Sequence, residues 1–241
     1  MHGPLQGRFD FRFDLPARCA EALARDEAQI GLVPCAEIER LGLDFLPDVG
    51  IACEGAVRSI LLFSKVPFRE IRTFAVDSSS RTSVALSRIL LRERYGVTPE
   101  LRTQEPDVAA MLESSDAALV IGDPALRLEP EQLGWNWLDL GTEWTAWSGL
   151  PMVFAAWAGR SSALGIPGVR EAFVESWHWG RDRMDEISAL GEVDRGFPAP
   201  VGKAYLTESI QFELGPRHLE GLKLFRQLVR DLDSGKAGVV R

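Results

Sequence analysis

The chain has 241 residues, 46% apolar and 26% charged, the balance of a globular protein long enough for two small lobes sharing an interface. Its formal net charge of -8 argues against nucleic acid and against an anionic membrane surface as partners, but not against a small anion gripped by local donors. Cys19, Cys35 and Cys53 form no CxxC pair, no apolar run approaches the roughly 18 residues of a membrane helix, and MHGPLQGRFDF lacks the pattern of a signal peptide, so a cytoplasmic protein with reduced thiols is expected.

Arg8–Asp14 (RFDFRFD) alternates Phe with polar residues and predicts a strand with one buried face. LPARCAEALARDE then reads as a helix with Pro in its first turn, and AQIGLVPCAEI as a short strand ending at Pro34. A helix or turn leads to FLPDVGIACEG. AVRSILLFSKVP (Ala56–Pro67) is a strong strand stopped by proline, and IRTFAVDSSS is another that runs straight into a cluster of hydroxyls. The helix after it closes at Gly96. PELRT is a strand, DVAAMLESS a helix, and Asp116–Leu126 (DAALVIGDPAL) a buried strand with a glycine-aspartate turn at its end. LDLGTEWTAWSGLPMVFAAWAGR contains a helix and then a strand. Beyond Arg160 the chain is expected to be mostly helical, with helices near Pro167–Leu190 and Pro216–Asp233. The strand–helix alternation implies parallel sheet with helices on both faces, and its restart near Ile71 suits a second lobe.

Ser78, Ser79, Ser80, Arg81, Thr82 and Ser83 stand at the start of one helix. A helix start offers unpaired N–H groups and a partial positive charge, which together bind anions. One Ser suffices as a cap, so the cluster either extends an anion site with neutral donors or is a cap with solvated neighbours. It has no glycine-rich cradle and no Lys-Ser/Thr ending, so a carboxylate is a simpler guest than a nucleotide phosphate. Ser78–Ser83 and Gly122–Asp123 both follow strand carboxyl ends, where ligands of open α/β sheets bind. SWHWG (Ser176–Gly180) is aromatic, but its lone His178 reads as a surface residue. No zinc spacing and no nucleophile elbow occurs, and no metal, nucleotide or flavin is expected.

Several segments resemble the chorismate dehydratase family of the futalosine route to menaquinone: GIACEGAVRSILLFSKVP, DSSSRTSVALSRILLRERYG, DAALVIGDPAL, LDLGTEWTAWSGLPMVFAAWAGR and the terminal LTESIQFELGPRHLEGLKLFRQL. The resemblance runs from about Phe9 to Leu228. It implies a two-lobe α/β fold similar to type II periplasmic binding proteins, with the ligand cleft between lobes: residues 1–68 in lobe 1, 69–155 in lobe 2, and 156–241 returning to lobe 1. It implies a cofactor-free hydro-lyase that converts chorismate, a small dicarboxylate, to 3-[(1-carboxyvinyl)oxy]benzoate and water, as a monomer or homodimer. Ser80, Arg81, Thr82 and Ser83 match the family's helix-start motif; Arg81 would either reach the substrate or bind its own lobe. Ser59 matches the serine of a GxVxS turn and should face the cleft. Asp123 matches the Gly-Asp turn, orienting polar groups or capping the next helix. Cys35 and Glu37 fall in a polar first-lobe loop.

Family members also begin with a strand and a YLN-like turn, whose asparagine is thought to serve in proton removal. This chain has no such segment; about 20 residues, one strand and a short helix, are expected upstream of Met1. Within the chain as given, Ser59 is the first candidate for the proton acceptor. Two other functions remain open: a non-catalytic two-lobe binder of a small carboxylate, and the later, dihydroxynaphthoate-forming enzyme of the same pathway.

Overall fold

A computed structural model describes Gly3, residues 5–77 and residues 81–234. The elements are α1 (Pro16–Ala24), β1 (Ile30–Pro34), α2 (Cys35–Leu41), β2 (Asp44–Cys53), β3 (Ile60–Ser64), β4 (Thr73–Val76), α3 (Arg81–Tyr95), β5 (Glu100–Thr103), α4 (Val108–Ser114), β6 (Ala117–Ile121) and α5 (Gly122–Leu126). There follow β7 (Asn136–Asp139), α6 (Leu140–Ser148), β8 (Met152–Gly159), α7 (Ser161–Leu164), α8 (Val169–Arg181), α9 (Met184–Arg195), α10 (Ala199–Ala204), β9 (Gln211–Glu213) and α11 (Pro216–Asp233).

Contacts divide the chain into two units: one takes the chain up to Ala52 with Val153–Leu219, the other Cys53–Met152 with the chain from Glu220. These bounds differ from the expected breaks at 68 and 155. β3 pairs with β6 and β7, so the stretch after Cys53 belongs to the second unit's sheet. The tail also does not return wholly to the first unit. On α11, Phe225 packs edge-on to Trp144, centroids 6.2 Å apart, and Gly221 lies so close to the Pro151 carbonyl that a side chain would not fit.

The first unit's sheet has the order β1-β8-β2-β9, with β1 antiparallel to β8 and β2 antiparallel to β9. Leu46 and Val49 of β2 cluster with Val169, Ala172 and Phe173 of α8. The expected strand Arg8–Asp14 does not form. Phe9 packs against Phe173 with centroids 5.4 Å apart, as alternation predicts, but among the described residues the segment pairs with no strand and Phe13 is exposed. Alternation marks a half-buried face; it does not provide a partner edge for the backbone.

The second sheet has the order β5-β4-β6-β3-β7. β5, β4 and β6 are mutually parallel in that order, whereas β3 is antiparallel to both β6 and β7. The expected all-parallel sheet is therefore a mixed one. A strand parallel to the one before it in sequence needs a crossover of about a dozen residues or more. The short link from β3 to β4 therefore leaves β3 antiparallel to β4 and, since β4 is parallel to β6, antiparallel to β6, which lies between them. Leu61, Phe63, Ala75, Ala118 and Val120 of this sheet bury one face against Met111 and Leu112 of α4 and Ala125 of α5. Among the described residues no helix is long and apolar enough to cross a membrane.

Candidate functional site

Pairing register in the second sheet decides which predicted residues meet. Val76 at the end of β4 lies two strand positions from the end of β6, opposite Leu119. β3 starts at that same edge, with Ile60 opposite Ile121 and Leu61 opposite Asp139, the last residue of β7. The carboxyl ends of β4, β6 and β7 and the entry to β3 thus share one edge. Three helices, α3, α5 and α6, begin there. Ser59, Arg81, Thr82, Ser83 and Asp123 come to this edge from segments scattered along the sequence.

Ser59 is 5% exposed, and its backbone is fixed from two directions: its N–H donates to Val57 O at 2.8 Å, and its carbonyl accepts the Gly122 N–H at 2.7 Å. The second bond ties the serine directly to the Gly-Asp turn. Asp123 is half-buried in the first turn of α5, and that helix's N-cap position is Ile121, so Asp123 is not its cap. At the start of α3 the hydroxyl cluster splits. Thr82 and Ser83 are each only 2% exposed, whereas Arg81 is exposed. Ser80, with Ser78 and Ser79, lies outside the described residues. No acidic side chain occupies the first turn of α3.

Cys35 and Glu37 belong to the first unit. Cys35 opens α2 and is fully buried, behaving as a small core hydrophobe. Glu37 is buried too, and Arg40 Nε donates to its carboxylate at 3.0 Å, which raises the Arg40 pKa. The aromatic SWHWG segment packs on β9: Trp177 stacks on Phe212, centroids 4.7 Å apart, and its Nε1 donates to Glu213 at 2.8 Å.

Sequence reasoning passed over the start of α6. Asp139 is buried, and its carboxylate accepts four backbone N–H groups: Gly141 and Thr142 at 3.0 Å each, Val57 at 3.0 Å and Arg58 at 2.7 Å. The first pair caps α6, a role that an Asp before a helix signals in sequence. The second pair holds the Gly55–Ser59 loop, which sequence does not signal. Thr145 Oγ1 accepts the Gly55 N–H at 2.9 Å, and burial pushes the neighbouring Cys53 thiol's pKa up. A cavity of about 340 Å³, at the small end for ligand sites, opens beside this loop between apolar Leu128, Pro130 and Trp137 and polar Arg58 and Thr142. Among the described residues no group of three or more His, Cys, Asp or Glu is placed to hold a metal ion.

The sequence model of a family described as menaquinone biosynthesis matches residues 1–231. The chain belongs to this family. It is 30% identical over 200 residues to the chorismate dehydratase of Thermus thermophilus, a match covering 77% of this chain and 73% of that one. Among solved structures, a protein of Archaeoglobus fulgidus superposes with a TM-score of 0.69 at 19% identity, over 92% of this chain and 85% of that one. The periplasmic aliphatic sulphonate binding protein SsuA of Escherichia coli gives 0.61 at 19% identity, over 92% and 76%. The menaquinone-biosynthesis chain therefore has the expected two-lobe α/β fold of periplasmic binding proteins; at these identities the structures speak for fold alone.

Proposed function

We propose that this chain is a chorismate dehydratase, forming 3-[(1-carboxyvinyl)oxy]benzoate and water on the futalosine route, in the cytoplasm. The observation that carries this reading is the 30% identity to a chorismate dehydratase, inside a family match spanning residues 1–231. The shared sheet edge of Ser59, Asp123 and the α3 start is consistent with it. The reaction removes one ring hydrogen as a proton and the ring hydroxyl as hydroxide, which leave together as water. The electron pair of the broken C–H bond completes the aromatic ring, so the step balances without an oxidant, a reductant or a redox cofactor.

In this reading the start of α3 grips a substrate carboxylate. The helix end supplies N–H groups and a partial positive charge, Thr82 and Ser83 (with Ser80) supply hydroxyls, and Arg81 supplies a full charge. Ser59 takes the ring proton. A hydroxyl is a weak base and relays a proton rather than keeping it, so as Ser59 takes the ring proton its own hydroxyl proton passes to the leaving hydroxide, and Asp123, at the same sheet edge, orients polar groups there.

The test is incubation of the purified chain with chorismate, following the aromatic product by its ultraviolet absorption. Product formation is expected. Tight binding of chorismate with no product would instead make the chain a non-catalytic binder of small carboxylates.

A further inference from the structure

The loop that carries Ser59 is seated on α6 more firmly than a surface turn requires. Its Gly55, Val57 and Arg58 N–H groups go to Thr145 and Asp139, residues 81 to 90 positions away in sequence. An N-cap carboxylate needs only the donors of its own helix, yet Asp139 takes two from the loop in addition. Packing repeats the message. A Cβ on Gly141 would stand 2.5 Å from the Gly55 carbonyl oxygen and 2.6 Å from Cys53 Sγ, so glycine is what allows the loop to lie against the helix. Arg58 is held at φ 65°, a left-handed conformation that non-glycine residues seldom adopt unless the surroundings impose it. On the far side the Ser59 carbonyl is tied to Gly122.

We propose that Asp139, Gly141 and Thr145 are positioning residues that fix where the Ser59 hydroxyl stands. The proposal rests on the dehydratase reading, in which Ser59 moves the ring proton. Proton transfer requires heavy atoms within hydrogen-bond reach, and a displacement near 1 Å can cost on the order of a hundredfold in rate. Without the seat, three loop N–H groups turn to water, and Val57, whose carbonyl accepts the Ser59 N–H, is no longer held.

A double-mutant cycle tests this. Thr145→Val keeps the shape and removes the acceptor for Gly55. It is expected to lower kcat for chorismate on the order of tenfold with KM nearly unchanged, and Thr145→Ser to restore it. In a Ser59→Ala background the same Thr145→Val change is expected to cost nothing further, because the residue acts through Ser59. An equal loss in both backgrounds overturns the proposal, as does wild-type kcat in Thr145→Val. Hydrogen exchange of the Gly55–Ser59 amides reads the seat without any assay: faster exchange in Thr145→Val and Asp139→Asn supports it, and unchanged exchange overturns it. Should the wild-type chain leave chorismate untouched, the dehydratase reading fails and takes the catalytic half of the proposal with it, while the exchange result separately decides whether the seat holds the loop.

Discussion

Two helices of the second unit, α3 and α6, begin at the same sheet edge with different residues in their first turns. α6 is closed by the chain's own anion: Asp139 precedes it, and the carboxylate occupies the Gly141 and Thr142 N–H groups as well as two loop amides. α3 has no acidic residue in its first turn and begins Arg81, Thr82, Ser83. The same physics, a positive helix end in need of acceptors, serves an internal anchor at α6 and, in the function proposed above, a substrate carboxylate at α3. The two are also tied together. Glu143 of α6 accepts the Tyr95 hydroxyl at 2.9 Å and pairs with Arg94 at 2.8 Å, both from the last turn of α3.

The largest effect is expected from breaking the internal anchor. Asp139→Ala strands four backbone donors and should lower unfolding stability by about 3–5 kcal/mol, read from the midpoint of a urea transition. A loss below about 1 kcal/mol would mean that water replaces the carboxylate and that α6 is not closed in the way described.

The complementary change at α3 should affect activity more than stability. Thr82→Val and Ser83→Ala each remove a hydroxyl while keeping the side chain apolar and compact. Each is expected to lower kcat/KM for chorismate by about 1.5–3 kcal/mol of transition-state binding, roughly tenfold to a hundredfold, with a smaller change in urea midpoint. Both residues are buried, so equal stability losses at Thr82 and Asp139 would erase the contrast and make α3's start another internal anchor.

The smallest effect concerns the tie between the helices. Burial, then the hydrogen bond to Glu143, pushes the Tyr95 pKa up to about 12. A raised folded-state pKa means the folded protein holds the phenol proton more tightly. The associated stability is complete below about pH 10 and is lost as pH rises toward 12. Because the ring is partly exposed, solvent screening keeps the loss below about 2 kcal/mol. Melting temperatures recorded from pH 9 to 12 should fall more steeply for the wild type than for Tyr95→Phe; parallel curves would detach Tyr95 from the effect.

Much of the helical framework was legible from residues alone. The run IRTFAVDSSS followed by apolar residues at helical spacing and Gly96 gives β4 and α3 as observed, because helix hydrogen bonds join residues four apart and leave their period in the sequence. The hydroxyls marked α3's start as a candidate site for the same local reason, although burial of Thr82 and Ser83 emerged only in three dimensions. The three-residue strand β9 leaves too short a pattern to read. Arg8–Asp14 shows the opposite case, a strand-like pattern whose backbone found no edge to pair with.

What the tertiary structure alone decided is everything that depends on distant partners. The sequence by itself determined the long helices α1, α3 and α11, the apolar strands β1, β3 and β6, and that donors crowd one helix start, but it read α5 as a turn and α8 with α9 as one helix. It did not contain the antiparallel insertion of β3, the division of the chain at Ala52 rather than after residue 68, or the four-fold use of Asp139. A sheet ladder or a buried carboxylate is satisfied by whichever backbone groups the fold brings to it, and Val57 and Arg58 reach Asp139 from more than 80 residues away.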